Sequence, residues 1–362
     1  MTFNKKVLAG LVAFAAASTS AQAVTIAAND GWELGVSGLI NQFVTFTDDK
    51  NADEVTNIQD GLLPAFLNFD FKAPTMNGLD IAAHISFSPS TNNNSYAGFE
   101  QREVYFTVDG SFGQVLAGKA LGLYGSHNIL TDQTLFGVGY GAGSTAEGST
   151  TLGGIGLGYD YASWRSQVKW TSVDMNGFKV AIAIVDPAAG TFGGSAGLSG
   201  KPTGSITTGG VASEDLRYEA DLSYAGAFDN GSYTAWVSGM VQDADNAGNN
   251  DTEAYTVGGT LVAGGFEAMA QYSDAESDAI EWDQYIVQAG YRFAGTTLVS
   301  AQYAELEDKN LAADDTIEKW TVGVYHDVNA NLKLVAEYTA VEDDNKDVYD
   351  TDIISLGGFV FF

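Results

Sequence analysis

Apolar and polar residues alternate along most of this chain. In "WELGVSGLINQFVTF" one parity carries Trp32, Leu34, Val36, Ile40, Val44 and Phe46. The other carries Glu33, Ser37, Asn41 and Thr45, with Leu39 and Phe43 as exceptions. "AFLNFDFK" sets Ala65, Leu67, Phe69 and Phe71 against Asn68, Asp70 and Lys72. "LDIAAHISF" repeats the pattern, with Leu79, Ile81, Ala83, Ile85 and Phe87 against Asp80, His84 and Ser86. Successive side chains of a strand point to opposite faces, so each segment predicts a strand with one apolar and one polar face.

The connections alternate too. Short turns fall at 75–78, 109–113, 174–177, 228–232, 263–265, 294–297 and 329–331, several carrying the Asn-Gly or Asp-Gly pair that favours tight hairpins. Between them lie longer polar segments near 47–61, 88–100, 119–162, 187–213, 242–252, 273–281, 305–315 and 342–351. These fifteen connections imply sixteen strands. An even number of strands of ~10 residues, turned tightly at one end and loosely at the other, is the pattern of an outer-membrane barrel. A soluble sandwich also alternates, but its loops do not sort so regularly into short and long. The expected fold is all-β: a transmembrane antiparallel barrel of sixteen strands with short periplasmic turns and long extracellular loops. Pro64 has no N–H for the sheet ladder and is taken to mark the start of the second strand.

The apolar parity of such a barrel must face lipid, and the polar parity the interior, because hydrocarbon offers backbone amides no water. With about 16 strands the interior is too wide for side chains to fill, which predicts an aqueous channel. The chain ends on "IISLGGFVFF", read as the sixteenth strand, with Ile354, Leu356, Val360 and Phe362 outward and Ser355 and Gly357 inward. It must pair with the first strand to close the ring. Phe359 and Phe361 are apolar on the inward parity, which places that end near the periplasmic rim.

Composition adds three constraints. Residues 1–23 have a basic start (Lys5, Lys6), an apolar run and the small-residue end Ala21-Gln22-Ala23, the layout of an export signal cleaved after Ala23. That leaves residues 24–362 as a single barrel domain. Without Lys5 and Lys6 the mature chain has 14 bases against 46 acids, a balance that excludes nucleic-acid binding through phosphates. There are no cysteines, so disulfides and thiolate metal sites are excluded. The acids concentrate in the long loops, for example Asp48, Asp49, Asp53 and Glu54, or Glu342, Asp343, Asp344 and Asp347. Many bases lie within strands on the inward parity, as in "SWRSQVKW", where Arg165 and Lys169 alternate with Trp164, Val168 and Trp170. The loop acids predict a vestibule that concentrates cations and repels anions.

Signals of other chemistry are weak. "GVGYGAGSTAEG" from Gly137 lacks the helix and lysine of a phosphate-binding loop. His84, His127 and His326 are isolated and fit no metal-ligand spacing. No cofactor and no enzymatic activity are expected.

"REVYFTVDGSFGQVLAGK", Arg102 to Lys119, resembles the strand-turn-strand segment of the general diffusion porins of Gram-negative outer membranes. "RSQVKWTSVDMNGF", Arg165 to Phe178, resembles that family's strand and turn after its third loop, and Phe362 matches its terminal aromatic. The sequence departs from the family at Thr107, where a glycine is usual, and at Lys119, where an arginine is usual. The resemblance implies that the segment near 120–162 folds into the barrel and narrows the pore. It implies acids on that loop, here Asp132 and Glu147, opposed to wall bases, here Arg102, Lys119, Arg165 and Lys169. Strict alternation puts Arg102 on the parity of Val104 and Phe106, so its side is open. The resemblance further implies a homotrimer in outer-membrane lipid and lipopolysaccharide, passing small hydrophilic solutes and ions. Its assembly machinery would read Phe362. A substrate-selective channel of the same fold, or a surface β-protein without a pore, are the alternatives.

Overall fold

The computed structural model describes residues 24–27, 29–50, 53–89, 99–140, 151–186, 191–192, 206–207, 216–243, 251–277, 281–309, 315–343 and 350–362. Residues 1–23, the expected export signal, lie outside these.

Sixteen antiparallel strand positions close into one barrel. They are β1 (Glu33–Asp49), β2 in two parts (Val55–Gln59 and Phe66–Lys72), β3 (Asp80–Pro89), β4 (Phe99–Gly110), β5 (Gly113–Leu121), β6 (Trp164–Thr171), β7 (Phe178–Val185) and β8 (Arg217–Phe228). The ring continues through β9 (Gly231–Gln242), β10 (Thr252–Ala263), β11 (Phe266–Ser277), β12 (Glu281–Phe293), β13 (Thr297–Asp308), β14 (Asp315–Asn329), β15 (Leu332–Asp343) and β16 (Thr351–Phe361). The seam is the pairing of β16 with β1, from Leu39 opposite Phe361 to Asp49 opposite Thr351. Beyond it, a short ribbon, Val24–Ala27, pairs with the start of β1. Closure leaves no free edge along the seam, which is what a sheet in hydrocarbon requires.

The alternation read from the sequence sets the faces. On β16, Ile354 and Val360 are 49% and 50% exposed, while Ser355 and Phe359 are 1% and 0% exposed. The short turns use the chemistry their residues offer. Asn77-Gly78 and Asn176-Gly177 have φ values of 54°, 76°, 59° and 96°, the left-handed pairs that match strand twist in two-residue hairpins. The Phe361 amide donates to the carbonyl of Asn331 in the last short turn, so this end of β16 lies at the short-turn rim.

Two local departures matter. Pro64 does not mark the start of the second strand: that strand begins at Val55, breaks over residues 60–65 and resumes at Phe66. Lacking an N–H, Pro64 cannot continue the ladder, and the chain there turns into the barrel. Its backbone groups are met inside: Asn41 accepts from the Gly61 amide (2.8 Å) and donates to the Leu63 carbonyl (2.6 Å), and the Leu62 amide reaches the Gly137 carbonyl (2.9 Å). The second departure is in β4, where the register against β3 shifts between Ser86 and Phe87 and leaves Arg102 as an additional residue.

The segment 122–163, between β5 and β6, carries a short helix α1 (Ser126–Thr131) and a 3-10 turn (Gln133–Phe136). Its Tyr124, Tyr140 and Leu157 pack with the inward Met240, Trp282, Leu306 and Ile317 of β9, β12, β13 and β14. Ile155 and Tyr159 pack with Trp236, Met269 and Ile286. Phe136 meets Phe359 and Phe361 edge-on, at 5.6 and 6.1 Å between centroids. Those two inward phenylalanines on the last strand thus have a partner.

Candidate functional site

The narrowed part of the barrel is built by fastening this loop to the inward parity of the wall. Four buried carboxylates do most of the work, two from each side. On the wall, Glu219 accepts the amides of Leu123 (2.7 Å) and Tyr124 (2.9 Å) and the Arg217 Nε–H (2.6 Å). Glu337 accepts the amides of Val138 (2.6 Å) and Gly139 (3.0 Å) and the Tyr325 hydroxyl (2.5 Å). On the loop, Asp132 accepts from the Thr134 amide and hydroxyl, the Gly154 amide, the Tyr159 hydroxyl and the Gln302 side chain, at 2.6–3.0 Å. Asp160 accepts from the Tyr124 hydroxyl (2.8 Å), Trp282 Nε1 (3.0 Å) and Gln284 Nε2 (2.6 Å).

A buried carboxylate is tolerated when its lone pairs are met by donors, as all four here are. Burial pushes the Asp160 carboxyl up to about 6, with the bonds from Tyr124, Trp282 and Gln284 opposing the shift. Burial likewise holds the Tyr124 and Tyr159 hydroxyls well above the ordinary tyrosine range, and the adjacent Asp160 and Asp132 add to it.

Amide side chains complete the attachment. Gln288 accepts from the Gln133 amide (3.0 Å) and donates to the Thr131 carbonyl (2.7 Å), and Gln271 donates to the Gly158 carbonyl. Asn128 is gripped by Thr256 and Trp236 Nε1, each at 3.1 Å. His127 stacks on Trp236 (5.2 Å) with Nε2 3.2 Å from Asp221. Lys319, wholly buried, donates to the Gly153 carbonyl (2.8 Å).

Beside the Glu219 anchorage stand basic side chains on β6 and β8. Arg165 is buried beside Arg217 and Glu219, and its Nε points to the Ala162 carbonyl (3.4 Å). Lys169 lies in the field of Glu219, Asp221 and Glu103. The result is a barrel whose interior is partly filled by its own loop, bounded by paired charges.

A family model described as Gram-negative porin matches residues 8–346. The chain belongs to this family. Solved porin structures share the fold of this porin. The anion-selective porin from Comamonas acidovorans aligns with TM-score 0.67 and 15% identity over 91% of this chain and 100% of its own. OmpF of Salmonella typhi aligns with TM-score 0.66 and 15% identity over 94% and 100%. The outer membrane channel DcaP of Acinetobacter baumannii gives 0.64 and 14% over 93% and 99%. At such identities the likeness is one of fold. No curated protein matches the chain. Family and fold together make this porin a diffusion channel of the Gram-negative outer membrane.

The residues singled out from the sequence divide. The structure brings Arg165 and Lys169 to the inward wall beside the loop. Lys119 is placed elsewhere: its cross-strand partners Val104 and Ser166 are on the outward parity, and its Nζ donates to the Gln101 carbonyl (3.0 Å). Arg102, half-buried, is the additional residue of the β4 bulge, which is why alternation did not decide its side. Asp132 is on the loop, but 4% exposed and engaged by five donors, so it fastens the loop, and the wall base in its field is Lys319 in place of Arg165 or Lys169. Glu147 lies outside the described residues. Phe362 sits at the seam, exchanging two backbone hydrogen bonds with Gly38. Sequence reasoning missed Glu219 and Glu337. The available signal was an acid in mid-strand on the polar parity, in "RYEADL" and "LVAEYT".

Proposed function

We propose that this porin is a cation-preferring general diffusion channel. The observation that carries this reading is the state of the wall bases. Arg217 is bonded to Glu219 at 2.6 Å, and Lys169 has three carboxylates, Glu219, Asp221 and Glu103, around it. The charges of Arg217 and Lys169 are therefore met locally, and the excess acids of the chain set the field for an ion entering from the loop side. Opposed charges in a narrow lumen orient and sort polar solutes; they act as a filter and not as a catalyst.

The unit of function is a homotrimer in a leaflet of lipid and lipopolysaccharide. The neighbour OmpT of Vibrio cholerae is described in a trimer form. Residues 1–23 are removed on export, and the outer-membrane assembly machinery reads Phe362. The test is the reversal potential across a planar bilayer in a salt gradient, with each side in turn at higher concentration. A potential of the sign given by excess cation permeability is expected; clear anion preference would overturn the reading.

A further inference from the structure

A recess rimmed by charged side chains lies on the luminal wall near the short-turn rim, away from the wall carboxylates that latch the loop. Two neighbouring cross-strand rows build it. One runs Gly35–Asp70–His84–Tyr105 across β1 to β4; the other runs Glu33–Lys72–Ala82–Thr107. Gly35 and Ala82 stand among long polar side chains, so the wall is hollowed where they sit and rimmed where Asp70 and Lys72 rise. The recess holds about 440 Å³, a volume in the range of small-ligand sites.

Its charges are fixed in place. His84 Nδ1 is 2.7 Å from Asp70 Oδ1, and His84 Nε2 is 3.4 Å from Glu103 Oε2, which also accepts from Ser86 (3.3 Å). Tyr105 stacks on the imidazole at 5.1 Å and 25°, which stops the ring from turning. One Asp70 oxygen is thus held by histidine. The other, Oδ2, hangs over Gly35, about where a Cβ on that glycine would be 3.8 Å away. More than half of the Asp70 side chain, 54%, is open to solvent. Lys72 and Glu33, both exposed, face each other across the next row.

We propose that this recess is a binding subsite for small zwitterionic solutes of the amino-acid or dipeptide class. The solute's ammonium group is taken by Asp70 Oδ2 and Glu33, and its carboxylate by Lys72. A site with one sign of charge would favour a plain anion or cation; here both signs stand in adjacent rows of one face, Asp70 in one and Glu33 and Lys72 in the next. Charged hydrogen bonds of this kind are stronger than neutral ones, so a solute bearing both charges is held longer than an uncharged one of equal size. The subsite rests on the channel reading only in that solutes reach this wall by diffusion.

The experiment is saturation-transfer NMR on the detergent-solubilised porin, with glycylglycine as probe and N-acetylglycinamide as the uncharged control. Glycylglycine is expected to receive saturation and the control little. Lys72→Met and Asp70→Asn should each weaken binding roughly tenfold, the size of one charge-assisted hydrogen bond. Ala82→Leu, which fills the recess without changing charge, should do the same. Lys179→Met, on β7 away from the recess, should leave binding unchanged. Heat-modifiable mobility on gels checks that each variant is folded. Equal saturation of the two probes in the wild type, or binding undiminished in both Lys72→Met and Ala82→Leu, would overturn the subsite. Because no current is measured, this outcome is distinct from a failure of the channel reading, which reconstitution alone decides.

Discussion

Glu337 and Val138 are 199 residues apart in sequence, yet the carboxylate Oε2 of one accepts the backbone amide of the other at 2.6 Å. The same oxygen takes the Gly139 amide at 3.0 Å. At the start of the loop Glu219 does the same for Leu123 and Tyr124. The loop is latched at its start and near its middle by wall carboxylates that bond its backbone, so the side chains of Leu123, Tyr124 and Val138 are not what these two latches grip.

Replacing Glu337 by Ala leaves the Val138 and Gly139 amides and the Tyr325 hydroxyl without their acceptor. Each donor stranded in a buried site costs about 1–3 kcal/mol. The barrel itself keeps its ladder, so the expected result is a folded channel with a loosened loop. Its single-channel current should be noisier, and protease should cut within 122–163 sooner than in the wild type. Glu219→Ala should loosen the start of the loop in the same assays. Quiet, wild-type-like currents in both variants would contradict the latch.

Gly137→Ala should mimic the loss of Glu337. A Cβ at Gly137 would coincide with Glu337 Oε1, and that carboxylate is buried and held, so it has nowhere to go. Gly295 is the contrast: nothing stands within 4 Å, and only its φ of 75° opposes a side chain. Gly295→Ala should cost about 1 kcal/mol in thermal stability with unchanged conductance, while Gly137→Ala changes the current.

Period two and the alternation of turn lengths made the sixteen strands and the seam at Phe361 legible, because a barrel wall imposes both rules on every strand. The Met-Asn-Gly turns were legible for the same local reason. What failed was whatever depended on a partner far away in sequence. Pro64 announces a break in a ladder, but only Asn41 and Gly137 show that the chain turns inward there. On β5, "VLAGKAL" has apolar residues on both parities, so the outward turn of Lys119 cannot be counted from Gly113. Arg102 sits at a register shift that no single strand reveals. Asp132 was legible as a loop acid, and its burial was not, since spacing does not say which carboxylate meets five donors.

Acid should tighten the loop through Asp160. Its folded pKa, about 6, lies above the value of 3.8 for a free aspartate. Between those values the docked loop binds a proton that the released loop does not, so docking weakens as pH rises through about 6. The favourable contribution is fully present below about pH 4 and lost above 6. The two-unit difference corresponds to at most about 3 kcal/mol. Hydrogen exchange of loop amides at pH 4.5 and 7.5, corrected for intrinsic rates, should show greater protection at the lower pH. Asp160→Asn should remove that difference; a variant retaining it would assign the effect to another group.

Arg165→Gln should sharpen cation preference. One charge removed from the wall changes the energy of an ion about 8 Å away by roughly 0.5 kcal/mol in water. That is roughly a twofold rise in cation occupancy and a matching fall for anions. The reversal potential should move further in the cation direction, more at low salt than at high salt. Lys119→Gln, on the outward face, should leave the reversal potential where it is. An equal shift in both variants would place Lys119 in the lumen after all.

The seam makes a last, separable demand on Phe362. Its amide and carbonyl exchange bonds with Gly38 at 3.0 and 2.7 Å, and its ring lies over that glycine, where a Cβ would come within 2.7 Å of Cζ. Phe362→Ala keeps the two backbone bonds and loses the ring; deleting the residue loses both. If the ring is what the assembly machinery reads, the two variants should lower the yield of assembled porin in the outer membrane alike. If the seam's bonds decide, only the deletion should do so. We expect Phe362→Ala and the deletion to reduce yield together, with unchanged single-channel conductance in the molecules that assemble. The residue lies at the rim of the wall, away from the loop and the basic side chains of β6 and β8, so it should govern closure and leave conduction alone.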